Sequence, residues 1–254
     1  MDNNTKFLFR TVLKAGYIIV KNGGETYRAE DTMKRMLASK GFKNISAFVS
    51  PTVIILGNND SDDGNIMLNI KKRSSNLGRI ELVNEVSRKF VSGDIDIYQV
   101  SEKLQDIENK IIYPYSYLLV SISLSCAIFA ILIGGNYKDF FATLIVSSIS
   151  FHLSEEINNI TDTVFLGNFI ASFIVCAVAF IFSLIGFGST FDFIIVGSVL
   201  PLVPGVALTS GIRDFMSGDL LSGVAKSIEA VMIAIAIAFG VGTALVIFNF
   251  LGGI

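Results

Sequence analysis

IIYPYSYLLVSISLSCAIFAILIGG, residues 111–135, contains no charged side chain. A membrane helix needs about 20 mostly apolar residues to cross a hydrocarbon core of about 30 Å, and Tyr115–Gly135 meets that length. The chain changes character here. Residues 1–112 hold 17 Lys/Arg and 14 Asp/Glu, whereas residues 113–254 hold 3 and 8. We therefore expect two domains, an α+β domain over 1–112 and a polytopic helical membrane domain over 113–254. With 52% hydrophobic and 17% charged residues in 254, one large soluble globule is excluded. A net charge of −2 lacks the basic footprint of a nucleic-acid binder.

Downstream, Phe165–Gly186, Phe191–Ile212 and Ala230–Leu251 have the same length and polarity as the first span. Phe140–Leu153 reaches only about 21 Å at 1.5 Å per residue unless it extends into Lys138-Asp139 and Ser154. The expectation is about five spans in the lipid bilayer. The basic N-terminal domain dominates the positive-inside vote, which puts the N-terminus in the cytosol together with the Glu155–Asp162 and Arg213–Lys226 loops. MDNNTKFLFRTVLKAGYIIVK has no uninterrupted apolar core and no cleavage site after it, so it does not read as a signal peptide.

Within 1–112, residues 5–21 read as a helix ending at Gly23-Gly24. A second helix follows from Glu25, with Ala29, Met33, Met36 and Leu37 at helical spacing and Gly41 beyond its end. Ile45–Val49, Thr52–Leu56 and Ile66–Ile70 are short runs rich in branched residues, separated by Pro51 and by Asn58–Gly64. They predict a small antiparallel sheet. Arg79–Val91 and Ile97–Ile111 return to helical spacing, the latter behind an Asp94 or Asp96 cap.

The chemistry-bearing residues are few. Cys126 and Cys176 lie in apolar runs and read as small hydrophobes, the lone His152 cannot make a three-ligand metal site, and no phosphate loop or nucleophile elbow occurs. No metal or cofactor is expected, nor an enzyme; the rival reading is a membrane-tethered hydrolase using Glu25, Glu30 and Asp31. The informative stretch is PLVPGVALTSGIRD, 201–214. Pro201 and Pro204 each remove a backbone donor, which frees the carbonyls of Gly197 and Leu200 and predicts a broken fourth span. Broken helices in transporters offer freed carbonyls and a helix N-terminus to a substrate, and Thr209 and Arg213 share one face of the second half. The plainer reading is a packed proline kink with Arg213-Asp214 at the interface. Asp192 and Glu229 reach the headgroups or pair locally. Ala234/Ala238/Gly242 and Ala236/Gly240/Ala244 form two small-residue ridges for helix packing. In GGETYRAEDT, 23–32, capping and a Glu25–Arg28 pair explain most of the acidic residues.

These two strings, with Gly218-Asp219 after the second, resemble the two signatures of the threonine/serine exporter (ThrE) family, over essentially the whole chain. About five spans, against about ten in fused members, resembles the larger half of the split type. The resemblance implies export of a small metabolite across the bacterial cytoplasmic membrane, with a separate small membrane protein supplying the remaining spans. It carries over Glu25, Thr26, Arg28, Glu30 and Asp31 as a cytosolic motif, and Pro201, Pro204, Gly205, Thr209, Arg213, Asp214 and Asp219 as substrate-binding or gating positions. It leaves the substrate open between threonine/serine and a dicarboxylate such as succinate. The membrane half offers only Lys138, Arg213 and Lys226, which favours a zwitterion over a dianion. The absence of a nucleotide-binding motif points to secondary, proton-driven transport.

Overall fold

The computed structural model describes residues 2–60, 65–161, 163–188 and 191–250; the expected turn residues Ser61–Gly64, with Asp162 and Leu251, lie outside them. By contacts the chain divides into two compact units, Met1–Ile112 with Gly205–Ile228, and Tyr113–Pro204 with Glu229–Ile254. The stretch 205–228 therefore groups with the N-terminal residues.

The first unit is built on α1 (Asn3–Lys21). Its Phe9, Val12, Leu13, Ile18 and Ile19 are all at most 1% exposed, on several sides of the helix, because α2 (Thr26–Ala38), α3 (Leu77–Ser92), α4 (Ile97–Asn109) and the sheet all pack against it. The sheet is antiparallel in the order β1 (Ile45–Val49), β2 (Val53–Asn58), β3 (Ile66–Asn69), with Ala47 opposite Leu56 and Ile54 opposite Leu68. Ile54 and Leu56, two apart on β2, enter the core, as the period of two requires. Asp96, of the two candidates, caps α4 in a reciprocal box with Gln99. Gly23 and Gly41 take φ of +90° and +91°, the left-handed region that stops a helix.

The second unit contains α5 (Tyr115–Leu132), α6 (Tyr137–Thr161), α7 (Val164–Leu184) and α8 (Phe191–Val199). A helix α10 (Leu220–Phe250) contributes its residues from Glu229 onward. Among the described residues α5, α7 and α10 are long and apolar enough to cross a membrane. A fourth candidate arises only if the broken pair Phe191–Leu202 and Gly205–Met216 counts as one span. The expectation of about five spans is thus met only in coarse form. Helix α6 runs 25 residues, about 37 Å, well beyond the apolar core 140–153, but it is not among the apolar spans. The reasons are the charged residues near its ends, Lys138, Asp139, Glu155 and Glu156, and a polar buried face. Asp139, Thr143, Ser147, Ser150 and Ser154 are all buried, while Phe141 and Ile145 point outward, an arrangement that lets helices approach through small side chains.

The predicted break is present. Helix α8 ends at Val199, a 3-10 turn covers Leu200–Leu202, and Val203 is extended at φ −66°, ψ 128°. Helix α8 and its turn reach only about 20 Å. One detail differs: the Leu200 carbonyl is not freed, because the Val203 N–H donates to it at 3.2 Å. A tightened turn has replaced the helical bond that Pro204 removed.

Of the two small-residue ridges on α10, Ala236, Gly240 and Ala244 are buried. A Cβ at Gly240 would lie 2.4 Å from the Phe169 carbonyl oxygen of α7, so this ridge sets the distance between the two helices. The other ridge, Ala234/Ala238/Gly242, faces outward, and a Cβ at Gly242 would meet nothing within 4 Å.

Candidate functional site

Helix α9 (Gly205–Met216) ends at Gly218, which takes φ +86° and lets the Asp219 N–H reach back to the Asp214 carbonyl at 2.9 Å. Asp219 then starts α10, its Oδ1 accepting from the Ser222 N–H at 3.2 Å. The Gly218-Asp219 pair is a helix stop followed by a helix start.

This hairpin brings the two sequence strings together. The first turn of α2 has unsatisfied N–H groups and the positive end of its dipole, and Glu25, at the N-cap position, makes no side-chain cap bond. The cap comes from 188 residues away. Asp214 Oδ1 accepts from the Thr26 N–H at 3.1 Å, and Asp219 Oδ2 accepts from the Thr26 hydroxyl at 2.6 Å. Lys226, only 5% exposed, lies 2.7 Å from Asp214 Oδ2 and donates to the Gly24 carbonyl at 3.1 Å. That Asp214 oxygen accepts no hydrogen bond among the described residues, so the Lys226–Asp214 contact is an ion pair off the bonding direction. Asp214 itself is fully buried. A buried charge that loses such a partner is strongly destabilising.

Glu25 is released from capping and holds two arginines. Arg213 Nη1 donates to its Oε1 at 2.7 Å and Arg28 Nη1 to its Oε2 at 3.2 Å. Burial alone would raise the Glu25 carboxyl, but the Arg213 hydrogen bond, a backbone hydrogen bond and Arg28 outweigh it and hold it below its ordinary value. Both arginines remain open to solvent, with side chains 64% and 45% exposed. Close approach is built into the backbone. A Cβ at Gly24 would sit 2.6 Å from Ile19 Cγ2 and 2.8 Å from its carbonyl oxygen, and one at Gly211 would sit 3.0 Å from Ser227 Oγ.

Of the expected positions, Glu25, Thr26, Arg28, Arg213, Asp214 and Asp219 therefore share one network. Glu30 and Asp31 do not join it; they pair with Lys34 and Arg35 on the outer face of α2. Thr209 donates back to the Gly205 carbonyl at 2.9 Å, a local bond within α9. Gly205 starts α9, while Pro201 and Pro204 belong to the second unit. Sequence reasoning named Lys226 only as a cation of the membrane half and, in its plainer reading, placed Arg213 and Asp214 together at the interface; the two residues instead reach different partners. Lys226 gave no signal, since a lysine at the start of an apolar helix reads as an interface cation. Among the described residues no three His, Cys, Asp or Glu side chains group as a metal site.

The family model for threonine/serine exporters, ThrE, matches residues 10–248. The chain belongs to the ThrE family. It is 22% identical over 247 residues to the "Probable succinate transporter subunit YjjP" of Klebsiella aerogenes, covering 96% of this chain and 95% of that protein. To the protein of the same name in Escherichia coli K12 it is 23% identical over 255 residues, with the same coverage. To the "Probable threonine/serine exporter" of Mycobacterium tuberculosis it is 19% identical over 247 residues, covering 94% of this chain but 46% of that protein. No solved structure matches the chain. As a ThrE member it stands among transporters, not enzymes.

Proposed function

We propose that this chain is the larger subunit of a two-component secondary exporter that moves a small carboxylate-bearing metabolite out across the bacterial cytoplasmic membrane. Residues 1–112 form its cytosolic α+β domain and residues 113–254 its membrane domain, whose proline-broken stretch at Pro201 and Pro204 leads into a gating hairpin. The observation that carries this reading is the meeting of the two ThrE signature strings in one network, in which Glu25, Asp214 and Lys226 are buried and the two arginines reach solvent. A network that ties the start of α2 to α9 and α10 is suited to report substrate capture to the helix that follows the break, because paired buried charges have discrete rather than graded arrangements.

The subunit reading draws on the relatives named as transporter subunits and on the coverage of less than half of the mycobacterial exporter. A separate membrane protein would supply the rest, and the uncovered Ala234/Ala238/Gly242 ridge on α10 is suited to receive it. Threonine and serine fit the count of cations in the membrane half. Succinate is favoured by two relatives, matched over nearly their full length, whose names carry it. Arg213 also no longer serves as a free cation for a zwitterion, since Glu25 already holds it.

The test is efflux of labelled serine, threonine and succinate from preloaded cells expressing this chain alone or with its small partner. Efflux of one substrate class, and only with both chains present, is the expected result. Retention of all three at the level of empty cells overturns the proposal.

A further inference from the structure

Beside the ion network, on the outer side of α2, a cleft of about 560 Å³ opens between α2 and α3. From α2 it takes Tyr27, Arg28, Asp31 and Arg35, at the spacing of one helix face, and from α3 Asn84, Ser87 and Arg88. Three guanidiniums against one carboxylate leave the lining with an excess of two positive charges. Arg35 is tied to Asp31, and Arg28 shares its charge with Glu25. Arg88 is exposed and makes no direct ion pair among the described residues; Glu85, one turn before it on α3, is bonded to Lys89 and attracts Arg88 only through space. A cationic fork of this kind, with hydroxyl and amide donors around it, matches planar oxyanions held two bonds at a time.

We propose that this cleft is a capture site for a small dicarboxylate, one carboxylate on Arg88 and the other on Arg28. The ligand class rests on the export reading above; the site rests on the cleft itself. Its volume is in the range of small-molecule sites and admits a four-carbon dianion together with its waters. It also supplies what the membrane half lacks, since two cations for a dianion are found here instead. Arg28 links capture to the network. A ligand carboxylate on Arg28 competes with Glu25 and leaves Glu25 to Arg213 alone.

The experiment is calorimetric titration of the purified full-length chain in lipid nanodiscs with succinate, serine, threonine and inorganic phosphate, alongside Arg88→Gln and Asn84→Asp. Succinate is expected to bind the wild-type chain. Both variants should weaken it by about tenfold or more, the scale of one charge-assisted hydrogen bond lost or one repulsive charge gained, without moving the melting temperature. Serine, threonine and phosphate should bind at least about tenfold more weakly than succinate. Absence of succinate binding, unchanged affinity in both variants, or equal affinity for phosphate or serine overturns the proposal. Binding is read here without transport. Failure of efflux in cells would sink the export reading on its own, and an Arg88-independent affinity would sink only the cleft.

Discussion

The two units bury polar groups in opposite ways. In the first, full charges are buried and, among the described residues, each is matched: Asp214 with Lys226, Glu25 with Arg213 and Arg28. In the second, Asp139 is buried at the start of α6, where it accepts from the Asn136 N–H at 2.9 Å, and the other buried polar groups are neutral hydroxyls and amides. Ser154 donates to Asn168 at 2.8 Å, while the hydroxyls of Thr143, Ser150 and Ser198 are fully buried with no partner among the described residues. The contrast follows from cost. An unpaired buried charge is several times more expensive than an unpaired hydroxyl, so charge is buried only where a partner is fixed, whereas a small hydroxyl is tolerated wherever helices must come close. Specific long-range pairing therefore marks the first unit, and close packing the second.

The most severe way to break this contrast is Asp214→Ala. It leaves Lys226 buried without its counter-charge and the Thr26 N–H without its acceptor, at an expected cost of about 3–5 kcal/mol. Thermal unfolding of the purified protein should show a clearly lower midpoint, and a midpoint equal to wild type would mean the pair is not buried as described. Next is Gly24→Ala, which forces a methyl against the Ile19 side chain and carbonyl and should cost about 1–3 kcal/mol by overpacking, read by the same melt.

The Glu25 pair makes the stability of the first unit depend on pH. Because the folded carboxyl is held below its ordinary value of 4.5, its stabilisation is complete above that value and is lost as pH falls through the lower folded value. The gap in melting temperature between wild type and Glu25→Gln should thus be flat above pH 4.5 and close below it. A gap that instead widened on acidification would contradict the assignment.

The second unit should respond with the opposite sign. Ser198→Ala removes a buried hydroxyl that has no partner, so stability should be unchanged or rise by up to about 1 kcal/mol. A loss larger than that would reveal a bond to Ser198. Smallest of all is Glu30→Gln on the outer face of α2, where an exposed i, i+4 pair with Lys34 is worth about 0.3–0.5 kcal/mol and the loss should shrink further in high salt.

Local order was legible in the sequence and long-range order was not. The helices and strands of the first unit follow from period and punctuation. The helical spacing of Ile97–Ile111 placed α4, which starts behind Asp96 rather than Asp94 and ends at Asn109, leaving Ile111 exposed; Gly23 and Gly41 marked real left-handed stops. The proline break at 201–204 was equally readable, because a missing N–H is a property of the residue itself. What no window contains is a partner 188 residues away. Glu25 beside Arg28 already looks satisfied as a local pair, so nothing pointed to Arg213, and Asp214 looked like the partner of the arginine beside it. Helix α6 was underestimated because its apolar run stops at Lys138-Asp139 and at Ser154-Glu155-Glu156, whereas the helix continues through the polar residues at both ends, with Asp139 and Ser154 on its buried face.

On the proposed function, the two signature strings act as one device in transport, through Glu25 and Arg213. The most direct test is a double-mutant cycle on efflux, with Glu25→Gln, Arg213→Gln and the double variant co-expressed with the proposed small partner and matched for amount in the membrane. Each single change should reduce efflux by about tenfold or more, and the double variant should be no worse than the poorer single, as residues that act as a unit behave. Single variants that reach the membrane folded and export at the wild-type rate would contradict it.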